Sequence, residues 1–176
     1  TVSSDFKRVG SIIVLVGKMD FLSMGGSVYF DVSKILGNNI PKINLRKLPK
    51  TFNAIYNAIQ KNQILSCHDI SEGGLITSVF EMCVGGNMGA NLSLDVILST
   101  FGELSASSAK NLRPDYFLFN ETAGCFIVEV KNQKTAKQLF RGIPHIILGS
   151  TIKEKEIRVN QRSKQLFTAD LYSLKK

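Results

Sequence analysis

Apolar positions along the chain fall into strand-like runs and helix-like stripes. Residues 11–16 (Ser-Ile-Ile-Val-Leu-Val) form a continuous, largely β-branched run closed by Gly17, which predicts a buried strand. After a loop containing Gly25-Gly26, Ser27 opens a short helical pattern. It places Val28, Val32, Ile35 and Leu36 on one face and stops at Gly37. Residues 38–44 read as a connector around Pro41. A second helix starts at Pro49, where a missing N–H is harmless, and Phe52, Ile55, Tyr56 and Ile59 form its apolar stripe as far as Asn62. Residues 64–67 predict a short strand. A third helix follows Gly74, with Leu75, Ile76, Val79, Phe80 and Cys83 on one face and Gly85-Gly86 at its end.

Further on, residues 89–94 alternate as a strand does, and residues 126–130 predict another. Asn132 can cap a helix that runs to Arg141 with Leu139 and Phe140 inward. Residues 145–148 predict a strand stopped by Gly149. Residues 156–159 and 164–168 suggest a late hairpin within a polar turn region, Lys153–Lys164. Residues 95–113 fit a short helix and a polar loop around Ser105–Ser108. Strands and helices interspersed in this way predict an α/β (α+β) domain, a mixed β-sheet flanked by helices.

Composition narrows the class. A chain of 176 residues suits one domain, residues 1–176, and 44% hydrophobic with 20% charged residues excludes a disordered chain. No apolar run is long enough to cross a membrane as a helix. Three cysteines without C-x-x-C spacing argue against a disulfide scaffold and for a reducing, cytoplasmic setting. With two histidines only, no metal site is expected. The net charge of +8 suggests an anionic partner. The basic residues are scattered, with mild clusters at Lys42–Lys50 and Lys153–Lys164 and a trailing Lys175-Lys176. No Arg-rich stripe or RNP pattern is present, so nucleic acid is not the expected partner, and a basic RNA-binding module stands as an alternative from another class. The chain begins Thr1-Val2-Ser3-Ser4 without Met and reads as a piece of a longer multidomain protein, its function incomplete in this piece.

Three segments carry candidate chemistry. His68-Asp69-Ile70-Ser71-Glu72-Gly73-Gly74-Leu75 joins a strand to a helix start, where unpaired N–H groups and the helix dipole favour an anion. Asp69 can bind a cation or accept a substrate hydroxyl, and His68 can donate to a phosphate. The structural reading of the same residues makes Ser71 an N-cap, Glu72 a first-turn acid and the glycine pair a tight turn. Met24-Gly25-Gly26-Ser27 repeats the arrangement, and the two turns can converge on one phosphate-bearing ligand. In Phe119-Asn120-Glu121, the two polar residues satisfy local backbone groups or reach a ligand. There is no phosphate-binding G-x-x-x-x-G-K-[ST] loop and no G-x-S-x-G elbow. Cys67, Cys83 and Cys125 read as core residues, and His145 as a strand-edge residue.

Together these segments resemble the phosphoribosylformylglycinamidine synthase family. Lys7-Arg8-Val9-Gly10, Leu15-Val16-Gly17 and Met24-Gly25-Gly26-Ser27-Val28-Tyr29 are similar to the K-R-x-G, L-V-G and L-G-G-S-x-Y that open its C-terminal half-domain. Residues 68–75 match its H-D-x-S-x-G-G-L signature, Phe119-Asn120-Glu121 its F-[SN]-E, and Leu148-Gly149-Ser150-Thr151 its I-G-x-[VT]. The wider group is the aminoimidazole ribonucleotide synthetase superfamily, with selenophosphate synthetase, thiamine-monophosphate kinase and a hydrogenase-maturation protein. Its domains of the other types are the nearer alternative.

The resemblance implies a C-terminal domain of that superfamily's type within an ATP-dependent C–N ligase of purine biosynthesis. ATP phosphorylates the amide oxygen of formylglycinamide ribonucleotide, and ammonia drawn from glutamine displaces the phosphate. It also implies that ATP and Mg²⁺ are held mainly by an N-terminal part, which carries the catalytic histidine. No catalytic residue is assigned to this domain, which alone should be inactive. The implied partners are the remainder of the synthase chain, a glutaminase subunit or domain and a small accessory subunit. By the same resemblance Gly25, Gly26 and Ser27 contact the substrate or its phosphate, and His68, Asp69, Ser71, Gly73 and Gly74 line the same cleft. Glu72, Asn120 and Glu121 are further candidates. Two departures are Met24 in place of Leu and Cys125 after Gly124, where relatives often carry Arg after Ser; no role is expected for Cys125.

Overall fold

A computed structural model describes residues 1–95, 113–162 and 164–173 and shows one seven-stranded mixed sheet. β1 (Ile12–Val16) runs antiparallel between β4 (Phe126–Val130) and β5 (His145–Ile152). β2 (Ser66–Asp69) pairs with the far side of β4, and β3 (Gly89–Ser93) with the far side of β5. β6 (Glu156–Gln161) joins β3 in a parallel pairing, the one such pairing among the described residues, and β7 (Lys164–Asp170) closes a hairpin on β6.

The unbroken apolar run of β1 follows from its burial on both faces. Ile13 and Leu15 enter a core shared with α3 (Gly74–Gly86) and α4 (Pro114–Leu118). Val14 and Val16 enter a second core with α2 (Leu48–Gln60) and α5 (Gln133–Leu139). The result is a helix–sheet–helix sandwich, in agreement with the predicted class.

Several boundaries differ from the sequence pattern. The helix expected over 27–37 is only α1 (Val28–Val32). Lys34 enters the left-handed region (φ 56°), the Ile35 N–H donates to the Phe30 carbonyl at 2.9 Å, and the chain folds back over Phe30. The expected apolar face of Val28, Val32, Ile35 and Leu36 is therefore exposed, and Phe30 is the buried residue. On α2 the sheet receives Thr51, Ile55 and Ala58. Of the predicted stripe, Phe52 and Tyr56 stay exposed, because the helix turns the face of Thr51, Ile55 and Ala58 inward instead; Phe52 packs edge-on to Phe126 at 5.5 Å.

β2 lies two residues later than predicted, in register from Ser66↔Glu129 to Asp69↔Phe126, so His68 and Asp69 belong to the strand itself. α3 runs through Gly85-Gly86 and ends at Asn87 (φ 50°). Gly86 serves packing instead, since a Cβ there would lie 2.2 Å from the Phe6 carbonyl oxygen. β5 continues past Gly149 to Ile152, and β6 takes up much of the expected turn region 153–164. α4 was unassigned by the pattern. The expectation for residues 95–113, including Ser105–Ser108, falls on positions 96–112 outside the described residues, as does Lys175-Lys176.

Glu129 sits in the middle of apolar β4 and is fully buried. Its Oε2 accepts the Lys7 N–H at 2.8 Å and the Ser66 hydroxyl at 2.9 Å; its Oε1 accepts the Arg8 N–H at 3.0 Å and the Ser11 hydroxyl. Lys7-Arg8 thus fastens the N-terminal segment through backbone donors. Burial pushes the thiols of Cys67, Cys83 and Cys125 up to about 12, as suits packing residues. No helix among the described residues is long and apolar enough to cross a membrane.

Candidate functional site

Three segments distant in sequence meet at one side chain. They are the turn ahead of α1, the turn ahead of α3, and the loop between α4 and β4. The Glu121 Oε1 accepts the N–H of Val28, the first residue of α1, at 2.9 Å. The same oxygen accepts the N–H of Gly73, the N-cap of α3, also at 2.9 Å. Helix starts leave N–H groups without intrahelical partners and carry partial positive charge, so a carboxylate suits both. The two glycine turns do converge, and a carboxylate of the chain itself lies between them.

The neighbours of Glu121 hold this junction. Asn120 is completely buried; its Nδ2 donates to the carbonyls of Asp20 (2.8 Å) and Ser23 (3.2 Å). Its Oδ1 accepts the Thr122 N–H at 3.0 Å and the Thr122 hydroxyl at 2.5 Å. Asn120 therefore pins the chain just before Gly25. Phe119 stacks on Tyr29 with centroids 4.8 Å apart, and the Tyr29 hydroxyl donates to Asp115 Oδ2 at 2.5 Å. That bond raises the Tyr29 phenol above its ordinary value. Burial works to raise the Asp115 carboxyl, but Arg113 and Tyr29 outweigh it and hold it below the usual range.

In the first turn, Gly25 is buried and donates to the Asn39 carbonyl at 2.7 Å, so it serves a chain crossing. Gly26 is exposed, with φ +78° and open space where a Cβ would stand. The buried Ser27 hydroxyl donates to the Met24 carbonyl at 2.7 Å and accepts the Phe30 N–H at 3.3 Å, capping α1.

In the second turn, Ser71 and Glu72 are exposed. Neither takes the expected structural role. The N-cap is Gly73 in a left-handed conformation with no side-chain cap, and Glu72 precedes the helix, because the Ser71 carbonyl closes the turn by accepting the Gly74 N–H at 3.1 Å. Gly74 is buried against the backbone of Phe119 and Asn120.

His68 turns toward α3. Its Nε2 is 3.1 Å from Glu81 Oε2, and its Nδ1 is 2.7 Å from the Asp69 carbonyl, so both ring nitrogens are engaged within the chain. The Asp69 carboxylate ends β2, exposed, with Oδ1 3.6 Å from His68 Nδ1. Among the described residues no group of three or more His, Cys, Asp and Glu side chains is placed to hold a metal ion.

The exposed rim of the junction is thus Gly26, Val28, Ser71 and Glu72, with Asp69 exposed at the end of β2 two residues before Ser71, and its floor is the Gly74 backbone laid on that of Phe119 and Asn120. Such a rim offers backbone groups, a hydroxyl and carboxylates to a polar ligand. Sequence reasoning missed the Tyr29–Asp115–Arg113 chain and the buried Glu129. A lone acid in the run Phe126-Ile-Val-Glu-Val130 was the available signal for the latter.

The comparisons with known proteins agree with this architecture. The family model described as "AIR synthase related protein, C-terminal domain" matches residues 8–161. Phosphoribosylformylglycinamidine synthase subunit PurL of Prochlorococcus marinus (strain MIT 9515) is 35% identical over 161 residues, 89% of this chain and 19% of the relative. The subunit PurL of Thermococcus sibiricus (strain DSM 12597 / MM 739) is 27% identical over 173 residues, 97% of this chain and 22% of the relative. The chain therefore spans about a fifth of the length of these curated relatives. Among solved structures, T. maritima PurL complexed with FGAR has a TM-score of 0.77 at 18% identity, covering 98% of this chain and 29% of that one. E. coli HypE, a hydrogenase maturation protein, has a TM-score of 0.63 at 15% identity, covering 97% of this chain and 52% of that one. At these identities the likeness is one of fold.

Proposed function

The chain belongs to the family of AIR synthase related protein C-terminal domains, and from that premise we propose that it is the C-terminal domain of a phosphoribosylformylglycinamidine synthase. The observation that carries the reading is the junction of two glycine turns at Glu121, built from the residues of the H-D-x-S-x-G-G-L, G-G-S and F-N-E segments. The names of the relatives support it. So do the T. maritima PurL structures complexed with ATP and with FGAR. In this reading the whole protein is an ATP-dependent ligase that phosphorylates the amide oxygen of formylglycinamide ribonucleotide and replaces the phosphate with ammonia.

The part played by this chain is to wall one side of the substrate cleft. The Val28 and Gly73 amides are used by Glu121, so the ribonucleotide phosphate meets the exposed shoulder of the turns at Gly26 and Ser71. The exposed Asp69 carboxylate, beside His68, faces a ribose hydroxyl or a cation that accompanies phosphate. ATP and Mg²⁺ are held mainly by the remainder of the synthase chain. A glutaminase and a small accessory subunit complete a cytoplasmic assembly.

Two measurements test the reading. Calorimetry should show ribonucleotide and ATP binding by the complete protein, and this chain alone should show no turnover; turnover by the isolated chain overturns the division of labour. Asp69→Asn in the complete protein should lower activity about 10- to 100-fold, the scale of one lost charged hydrogen bond, while the melting temperature stays nearly unchanged. Full activity of that variant would make the segment purely structural.

A further inference from the structure

We propose that Glu121 is a positioning residue that sets the spacing of the two glycine turns, and through it the fit of the ribonucleotide phosphate, without touching the substrate. The inference rests on the function proposed above and adds a role for a side chain that the sequence left open between local and ligand contacts.

The geometry is that of a staple. One oxygen takes both N–H groups, so the Val28 and Gly73 nitrogens can stand no farther apart than twice 2.9 Å. Among the described residues no hydrogen bond joins 24–28 directly to 70–74; Glu121 is the polar link between them. Each turn has further anchors, none of them on the other turn: the first is bonded to Asn39, with Asn120 holding the chain just before it, and the second to Thr77, to Ser78 and, through the Ile70 N–H, to the Cys125 carbonyl. The staple stands on a rigid base, since Asn120 and Thr122 on either side are buried and bonded to the chain before Gly25.

The chemistry fits a carboxylate better than an amide. A full negative charge at the openings of two helices strengthens both bonds. An amide oxygen can accept the same two donors more weakly, whereas alanine frees both amides to water and unlinks the turns. A misplaced binding loop costs up to about 100-fold in the productive fit of its ligand. A phosphate seated across two turns reads their separation directly.

The test uses the complete protein with ammonia as nitrogen donor, varying ribonucleotide and ATP separately. Glu121→Ala should raise the KM for the ribonucleotide about tenfold or more, with kcat and the KM for ATP changed far less. Glu121→Gln should recover most of that loss, since its oxygen can still bridge the two amides. Hydrogen exchange in peptides containing Val28 and Gly73 should quicken together in the alanine variant and much less in the glutamine variant.

An unchanged ribonucleotide KM alongside faster exchange overturns the positioning role. A collapse of kcat that glutamine does not rescue also overturns it, since that marks a direct catalytic contact. Unchanged exchange in the alanine variant overturns the staple itself. A wild-type protein that does not bind the ribonucleotide removes the proposed function and the substrate half of this inference, and exchange then decides the staple alone. If Glu121→Ala does not fold, Glu121→Gln carries the test, with a ribonucleotide KM about two- to fivefold raised.

Discussion

Replacing Glu129 by glutamine should cost about 2–4 kcal/mol of stability, although the two side chains are nearly the same shape. Each carboxylate oxygen accepts one backbone N–H, from Lys7 at Oε2 and from Arg8 at Oε1. The serine hydroxyls of Ser11 and Ser66 can rotate to offer a lone pair; the backbone N–H groups cannot. Whichever way a glutamine amide turns, its NH₂ therefore faces a backbone donor in a fully buried site. Glu129→Leu removes every acceptor and should cost more, about 3–5 kcal/mol, while Ser66→Ala should cost only about 1 kcal/mol. Urea unfolding of the three variants ranks them. If glutamine proves as stable as the wild type, the four donors do not hold the N-terminal segment through this carboxylate. The ranking also bears on the site, because Glu129 organises β4 three residues after Phe126, on the strand that follows the Asn120–Glu121 loop.

Gly74→Ala should harm fold and activity almost as severely as Gly74→Val, by about 3–5 kcal/mol. The first carbon of any side chain is already the obstacle. A Cβ at this position would lie 2.5 Å from the Phe119 carbonyl carbon and 2.8 Å from both the nitrogen and oxygen of Asn120. These are backbone atoms of the loop that carries Glu121, and they cannot turn aside as a flexible side chain can. The left-handed backbone (φ +75°) adds its own strain for any non-glycine residue. Gly26→Ala supplies the contrast. Its φ is +78°, but nothing lies within 4 Å of the added carbon, so it should cost only about 1–2 kcal/mol. Thermal melts separate strain from collision: equal losses at the two positions would mean the loop 119–121 yields to Gly74 substitution.

The sequence determined most of the framework because strands and helices are written in local periodicity. The run 12–16, β4 at 126–130 and the Asn132 cap of α5 follow from neighbouring residues alone. The pattern failed at residues 27–37, where four apolar residues at helical spacing looked like a buried face and are exposed. Periodicity reports which residues share a face; it does not report whether anything covers that face. The specific eight-residue signature located the second turn and, through resemblance, the family.

Only the tertiary structure decided how the polar residues divide their work. Glu121 lies 93 residues from Val28 and 48 from Gly73, so no local rule could show that it binds both. The same holds for Asn120, 100 residues from Asp20, and for Glu129, more than a hundred from Lys7. Buried polar groups must find partners wherever the fold brings donors and acceptors together. That requirement is satisfied through long-range closure of the chain, which no run of neighbouring residues spells out.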